Sequence, residues 1–212
     1  MERKRIQGTG FMIKGIIADL DGTLIKLPIN EDKIKDKLRT YFHTDDDLVP
    51  LIPSIIKHSP SKTVLENAFS LLCKEELLAS NNVKIIDGTK QLIEFISANN
   101  LQLNLVTMQC RDVVEKILKK LDMFDYFSII LTRDDIPDRL QQIEKILEIS
   151  KIDVNNMIVI GDRLHDVICS EKVGCISILI KKDIEQYKNR IPNNSSIASN
   201  LNDVKNILMD LL

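Results

Sequence analysis

The chain has 212 residues, 44% of them hydrophobic and 28% charged, which suits one globular domain or a domain with a sizeable insertion and excludes collagen-like and coiled-coil chains. Its 29 basic and 31 acidic residues leave a formal net charge of -2, and no lysine or arginine block dominates any stretch, so nucleic acid is not expected as a partner. Aromatic residues are only 4% with no tryptophan, which disfavours clefts built on aromatic faces and favours small polar or charged ligands.

Taken in chain order, the first eleven residues carry Arg3, Lys4 and Arg5, but no small-residue cleavage site follows, so no secretory leader is expected. Nowhere do about 18 apolar residues run together, so no membrane span is expected either. An apolar, β-rich run at 15–20 reads as the first strand. From 27 to 84 the patterns are helical, notably at 32–42 and 62–78, with Pro28, Pro50, Pro53 and Pro60 as punctuation. This interval reads as an inserted helical subdomain. Asp87-Gly88 precedes an amphipathic helix at 91–98, and strands at 103–107, 126–131, 157–160 and 175–180 then alternate with helical segments at 113–121, 140–149 and 164–173. The stretch 186–202 is polar and rich in Asn and Ser, and a short helix closes the chain.

Alternation of this kind predicts an α/β fold: a Rossmann-like parallel sheet with helices on both faces, plus a small all-α cap inserted after the first strand. Residues 1–26 and 85–212 would form the core and 27–84 the cap. Ligands of such sheets sit beyond the carboxyl ends of the strands. The four cysteines, Cys73, Cys110, Cys169 and Cys175, lie far apart with no Cys-x-x-Cys pair, so neither zinc nor a disulfide is expected and a reducing cytoplasm is the expected location.

The acidic residues fall at those carboxyl ends. The first strand runs into Asp19-Leu20-Asp21-Gly22-Thr23, and the strand at 157–160 empties into Gly161-Asp162-Arg163-Leu164-His165-Asp166. An isolated Asp-Gly is most often a turn, and Asp166 suits a first helical turn. Several carboxylates at one sheet edge, however, repel one another unless a cation lies among them, and oxygen-only ligands with room for water select Mg²⁺. The strand at 103–107 ends in Thr107, followed by a helix start where backbone N–H groups can hold phosphate oxygens. A cationic partner is expected from the loop after the next strand. Arg139 is the first candidate, Lys145 the competitor and Arg133 a weaker one.

Asp-x-Asp-Gly-Thr after an apolar strand, a strand-terminal Thr, a basic residue and Gly-Asp-x-x-x-Asp after a later strand, in this order, resemble the haloacid dehalogenase-like hydrolase superfamily. Similarity is greatest to its phosphoglycolate phosphatase-like and β-phosphoglucomutase-like members, whose helical cap follows the first motif. The resemblance implies Asp19 as nucleophile, Asp21 as general acid/base, Thr107 and Met108 at the phosphate, Arg139 as the positioning cation, and a Mg²⁺ site drawn from Asp19, Asp21, Asp162 and Asp166, with Asp21 contributing its backbone carbonyl. Two departures stand out: Ile136-Pro137-Asp138-Arg139 replaces a Lys-Pro pair, and Met108 replaces a small polar residue. The implied reaction is hydrolysis of a small phosphorylated metabolite through an aspartyl-phosphate, by a monomer or homodimer. A phosphomutase or phosphotransferase is the alternative, and a non-catalytic phosphate- or metal-binding module a further one. Lys26, Lys57 and His58 are possible substrate contacts from the cap, although such residues are more often solvated surface charges.

Overall fold

Gly15–Ala18 is buried along its whole length and forms β1. Two residues, Ile25–Lys26, make β2, after which come the helices α1 (Glu31–Phe42), α2 (Leu51–Lys57) and α3 (Lys62–Ala79). The start of α1 is fixed by Asn30, whose side chain accepts from the Lys33 N–H at 2.9 Å, and the start of α3 by Ser61, which accepts from Val64 at 3.3 Å. Then follow β3 (Lys84–Ile85), α4 (Thr89–Ala98), β4 (Gln102–Val106), α5 (Arg111–Lys120) and β5 (Ile129–Leu131). The last part runs α6 (Arg139–Ser150), β6 (Met157–Gly161), α7 (Leu164–Val173), β7 (Ile176–Ile180), α8 (Ile184–Tyr187), β8 (Ser195–Ala198) and α9 (Leu201–Leu211). This computed structural model describes residues 12–212, so the leader reading for residues 1–11 lies outside the described residues.

Six strands form one parallel sheet in the order β5-β4-β1-β6-β7-β8, and β2 pairs antiparallel with β3 apart from it. Successive side chains of each strand go to opposite faces. Ile16 and Ala18 of β1, Leu103 and Leu105 of β4, and Ile158 and Ile160 of β6 pack with Ile93 of α4, Ile117 of α5 and Leu208 of α9. Ile17, Val106, Met157 and Val159 face the other way, onto Ile143 and Ile146 of α6 and Cys169 of α7. The sheet is therefore covered on both faces, as the unbroken apolar strands imply. A third apolar cluster belongs to the insertion and joins Ile34 and Leu38 of α1, Ile52 and Ile55 of α2, and Ala68 and Leu72 of α3.

The structure corrects the sequence reading in four places. Phe124–Tyr126 is a single 3-10 turn, so the strand expected from residue 126 starts at Ile129. Lys84 belongs to a strand, since β3 closes the insertion against β2; two exposed residues are too few to show a period. The polar stretch 186–202 contains β8, whose serines are compatible with a sheet edge, where Ser195 shares a 2.7 Å hydrogen bond with Ser177. Finally, Cys73 of α3 and Cys110, just before α5, are joined as a disulfide with Cα atoms 5.7 Å apart, because α3 packs along α5. Spacing along the chain could not show this, as the two are 37 residues apart. Cys169 and Cys175 are free and buried. Among the described residues no helix is long and apolar enough to cross a membrane.

Candidate active site

At the centre of the sheet β1 is flanked by β4 and β6, with Ala18 in register with Leu105 and Ile160. Asp19, Thr107 and Asp162 therefore leave three neighbouring strands at nearly the same height. The chain passes from β1 to β4 on one side and returns to β6 on the other, which makes the edge beyond β1 the crevice where open parallel sheets bind ligands.

Asp19 continues the line of β1, its N–H donating to the Ile160 carbonyl at 2.9 Å. Its buried carboxylate meets Arg139 Nη2 through Oδ1, while Oδ2 accepts a long hydrogen bond from the Thr23 hydroxyl at 3.5 Å. Arg139 is held there by the start of its helix: Asp138 caps α6, accepting from the Gln141 N–H at 2.9 Å, and Arg139 becomes the first helical residue. Its Nε lies 3.0 Å from Asp166 Oδ1, so one guanidinium bridges two acids. Lys145 instead pairs with Glu148 on the surface at 2.9 Å, and Arg133 pairs with Glu76 of α3. Of the three candidate cations, Arg139 is the one in contact with Asp19.

Asp166 accepts from the Arg163 N–H at 3.1 Å and tucks beneath Gly161. Asp162 faces Gly22, where a Cβ would stand 2.5 Å from its Oδ2 and where φ is +90°; the tight approach and the left-handed backbone together require glycine. Asp21 is partly buried and accepts from the Leu27 N–H at 2.8 Å. Thr107 is fully buried, its hydroxyl against the Gln109 side chain and its carbonyl accepting from Gln142 Nε2 at 3.0 Å. Met108 packs its side chain on the apolar cluster of the insertion, and its carbonyl accepts from Arg133 at 2.6 Å. Lys57 and His58 lie 3.3 and 2.7 Å from Asp46 within the insertion, and Lys26 is exposed.

Burial pushes Asp19 up to about 7 against the pull of Arg139, with Asp166 and Asp162 adding to the rise. For Arg139 burial alone would lower the pKa, but the carboxylates of Asp19 and Asp166 override it and raise it. Asp21 is raised by burial in spite of the Leu27 N–H, and Asp162 is raised by burial and then by Asp166. Among the described residues, three buried atoms here have no partner: Asp162 Oδ1 and Gln142 Oε1, both acceptors, and Arg139 Nη1, a donor. The carboxylate oxygen suits a cation and the guanidinium nitrogen an anion. Among the described residues the trio of carboxylate and thiol ligand atoms lying within 4.8 Å is Cys73, Glu76 and Cys110, not a set of aspartates. A cation at the sheet edge could thus be held by one oxygen each from Asp19 and Asp162, a backbone carbonyl and water, a hard and incomplete oxygen set that fits Mg²⁺.

From the sequence Thr23 enters only as the last residue of the first motif, with no role of its own, and Gln109, Gln142 and Glu76 are not singled out. Thr23 carried a signal, a hydroxyl four residues after Asp19 in the same turn. Gln142 carried a weaker one, one helical turn beyond Arg139. Glu76 carried none, since its partners Cys110 and Arg133 are 34 and 57 residues away.

The profile of the family described as haloacid dehalogenase-like hydrolase matches residues 16–180. Over 93 residues the chain is 29% identical to a phosphoglycolate phosphatase of Neisseria meningitidis serogroup A, a match covering 42% of this chain and 40% of that protein, so less than half of that relative's length is spanned. It is 24% identical over 184 residues to the pyrophosphatase PpaX of Bacillus mycoides, across 79% of this chain and 83% of that one. In three dimensions it superposes on a crystal structure of a predicted phosphatase from Clostridium acetobutylicum with a TM-score of 0.72 at 20% identity, over 94% of this chain and 100% of the other, a likeness of fold. The matched region runs from β1 through β7 and takes in each acidic strand end described above: the chain belongs to the haloacid dehalogenase-like hydrolase family.

Proposed function

We propose that the chain is a Mg²⁺-dependent phosphatase that hydrolyses the phosphate monoester of a small metabolite through an aspartyl-phosphate on Asp19. The observation that carries this reading is the Arg139 bridge between Asp19 and Asp166, placed beside the unpartnered Asp162 oxygen at the point where the strand order reverses. The relatives named as a phosphoglycolate phosphatase and a pyrophosphatase support a phosphorylated substrate.

In the first half-reaction an Asp19 oxygen attacks phosphorus and the bond to the ester oxygen breaks, while Asp21 gives that oxygen a proton. Burial raises the pKa of Asp21 above its ordinary value, the direction that favours a carboxyl serving as proton donor. In the second, Asp21 takes a proton from water as the water oxygen attacks the phosphorus of the aspartyl-phosphate, and inorganic phosphate leaves with the Asp19 carboxylate restored. Arg139 offers Nη1 to a phosphoryl oxygen while its other nitrogens keep Asp19 and Asp166 in place. The Thr107 hydroxyl and the Met108 N–H serve the same oxygens at the adjacent strand end. Asp19, Asp162 and the Asp21 carbonyl would hold Mg²⁺, with Asp166 acting through Arg139 and the Arg163 N–H; when bound, the ion supplies charge neutralisation at the transferring group.

The division of labour follows the topology. Residues 27–83, between β2 and β3, act as a cap that closes over the strand ends, pivoting where β2 pairs with β3, and the sheet and its helices on either side carry the chemistry. Met108, with its side chain in the apolar cluster of the insertion, passes the position of the cap to the phosphate loop. With p-nitrophenyl phosphate and Mg²⁺, Asp19→Asn should lower turnover by at least about 100-fold, since it removes the nucleophile outright. Turnover unchanged by that substitution would refute the assignment.

A further inference from the structure

We propose that Cys73 and Cys110 form a reversible thiol–disulfide latch that fastens the inserted helices to the phosphate loop and slows turnover when closed. Only the effect on turnover rests on the phosphatase reading; the latch itself does not.

One face of α3 grips the loop 107–110 from several directions. Phe69 lies under the Arg133 guanidinium, 5.2 Å from its ring centre. One turn on is Cys73, bonded to Cys110, and three residues further is Glu76. Glu76 holds both Arg133 Nη atoms at 2.7 and 2.9 Å and accepts the Cys110 N–H at 3.2 Å. Arg133 in turn reaches the Met108 carbonyl at 2.6 Å. Without the disulfide, α3 is tied to the loop by contacts that can open and re-form. With it, the Cα atoms of Cys73 and Cys110 stay 5.7 Å apart whatever the ion pairs do. The same bond joins the insertion to Cys110, three residues from Thr107, so a swing of α3 about β2 and β3 strains the loop that would cradle phosphate. The thiols and the Glu76 carboxylate are close enough together to suggest a metal site, but both Glu76 oxygens are engaged by Arg133 and the Cys110 N–H.

The chemistry is exchange with a low-molecular-weight disulfide RSSR. Cys73 is partly exposed and Cys110 buried, so entry is at Cys73. The Cys73 thiolate attacks one sulfur of RSSR, forming Cys73–S–S–R and releasing one RS⁻, which takes up a proton. The Cys110 thiolate then attacks the Cys73 sulfur, the protein disulfide forms, and the second RS⁻ leaves and is protonated. Two protein thiols are oxidised and one RSSR is reduced to two RSH. An excess of RSH runs the sequence backwards. Among the described residues Cys169 and Cys175 are in no disulfide, and both are buried, so exchange is expected only at Cys73 and Cys110.

The experiment uses the full chain, equilibrated with oxidised glutathione or with dithiothreitol. Thiols counted by alkylation after denaturation should number two more in the reduced sample. Amide exchange in residues 25–27, 83–86 and 107–110 should be at least about fivefold slower in the oxidised sample. Hydrolysis of p-nitrophenyl phosphate with Mg²⁺ should be at least about threefold faster in the reduced one, and Cys73→Ser should hold the faster rate in either buffer. Equal thiol counts, or equal exchange rates, overturn the latch. Slower exchange with equal turnover overturns its control of the reaction. Absence of turnover in both buffers overturns the phosphatase reading, and the exchange rates still decide the latch.

Discussion

Arg139 meets two buried carboxylates at once, Nη2 on Asp19 and Nε on Asp166, and keeps Nη1 unpartnered. A lysine, with one compact charge, could not span both acids in this way, so Arg139→Lys should recover only part of the activity that Arg139→Ala loses. Removing the guanidinium leaves two negative groups in a dry site with nothing between them. Turnover of p-nitrophenyl phosphate should fall by at least about 100-fold in Arg139→Ala and stay within about twofold in Lys145→Ala, whose side chain pairs with Glu148 on the surface. The same substitution should change how stability depends on pH. Asp19 already sits at about 7, above its ordinary 3.8, because burial outweighs Arg139; deleting the arginine removes the main influence holding it down. A carboxyl raised by folding binds its proton more tightly in the native chain than in the unfolded one. Its contribution is therefore fully present below the unfolded value and is lost as pH rises towards the folded value. In metal-free buffer the melting temperature of Arg139→Ala should drop more steeply between pH 5 and 8 than that of the wild type. Parallel curves would show that Arg139 does not control the charge of Asp19.

Helix α3 shows how one element can belong to two neighbourhoods. Its Ala68 and Leu72 complete the apolar cluster of the insertion, while Leu77 and Ala79 pack on the core under the sheet, and Glu76 between them reaches Arg133 beyond β5. Arg133 is wholly buried and paired through both terminal nitrogens. Truncating it should therefore leave an uncompensated carboxylate: Arg133→Ala is expected to cost about 3–5 kcal/mol in urea unfolding, whereas Arg133→Met combined with Glu76→Leu should cost less than about 2 kcal/mol. Additive losses in the double variant would mean that the two side chains do not act as a pair. The limits of sequence reading are plain at this scale. Asp19, Thr107, Arg139 and Asp162 could be placed at one sheet edge from sequence because each follows a strand end or opens a helix, where position is set by local pattern. Glu76, Cys73 and Phe69 lie in the middle of a helix whose partners are distant in the chain, and a helical period says which face is apolar but not what it meets. β2 and β3 are too short to carry a period, and β8 has edge-strand polarity instead of a core strand's.

Across the whole molecule, the parallel order places β1 at the reversal of strand order, and so gathers Asp19, Asp21 and Asp162 from segments about 140 residues apart in the chain, a separation that tertiary structure alone can close. Acids concentrated there weaken the fold when no cation is bound. Asp162 shows this best, since burial and Asp166 raise its pKa and its Oδ1 has no partner. An ion that binds only the native state stabilises it by RT ln(1 + [L]/Kd), about 2.7 kcal/mol at a hundredfold excess over Kd, or very roughly 5–10 °C for a chain of this size. Mg²⁺ should therefore raise the melting temperature and EDTA should reverse the rise. Asp162→Asn should separate the two effects: it relieves repulsion, so the metal-free variant should melt no lower than the metal-free wild type, yet it removes a ligand, so the Mg²⁺-dependent rise should shrink to a small fraction. If Mg²⁺ raised both proteins equally, the ion would be binding elsewhere on the chain, and the acids at the end of β6 would need another reason to stand together.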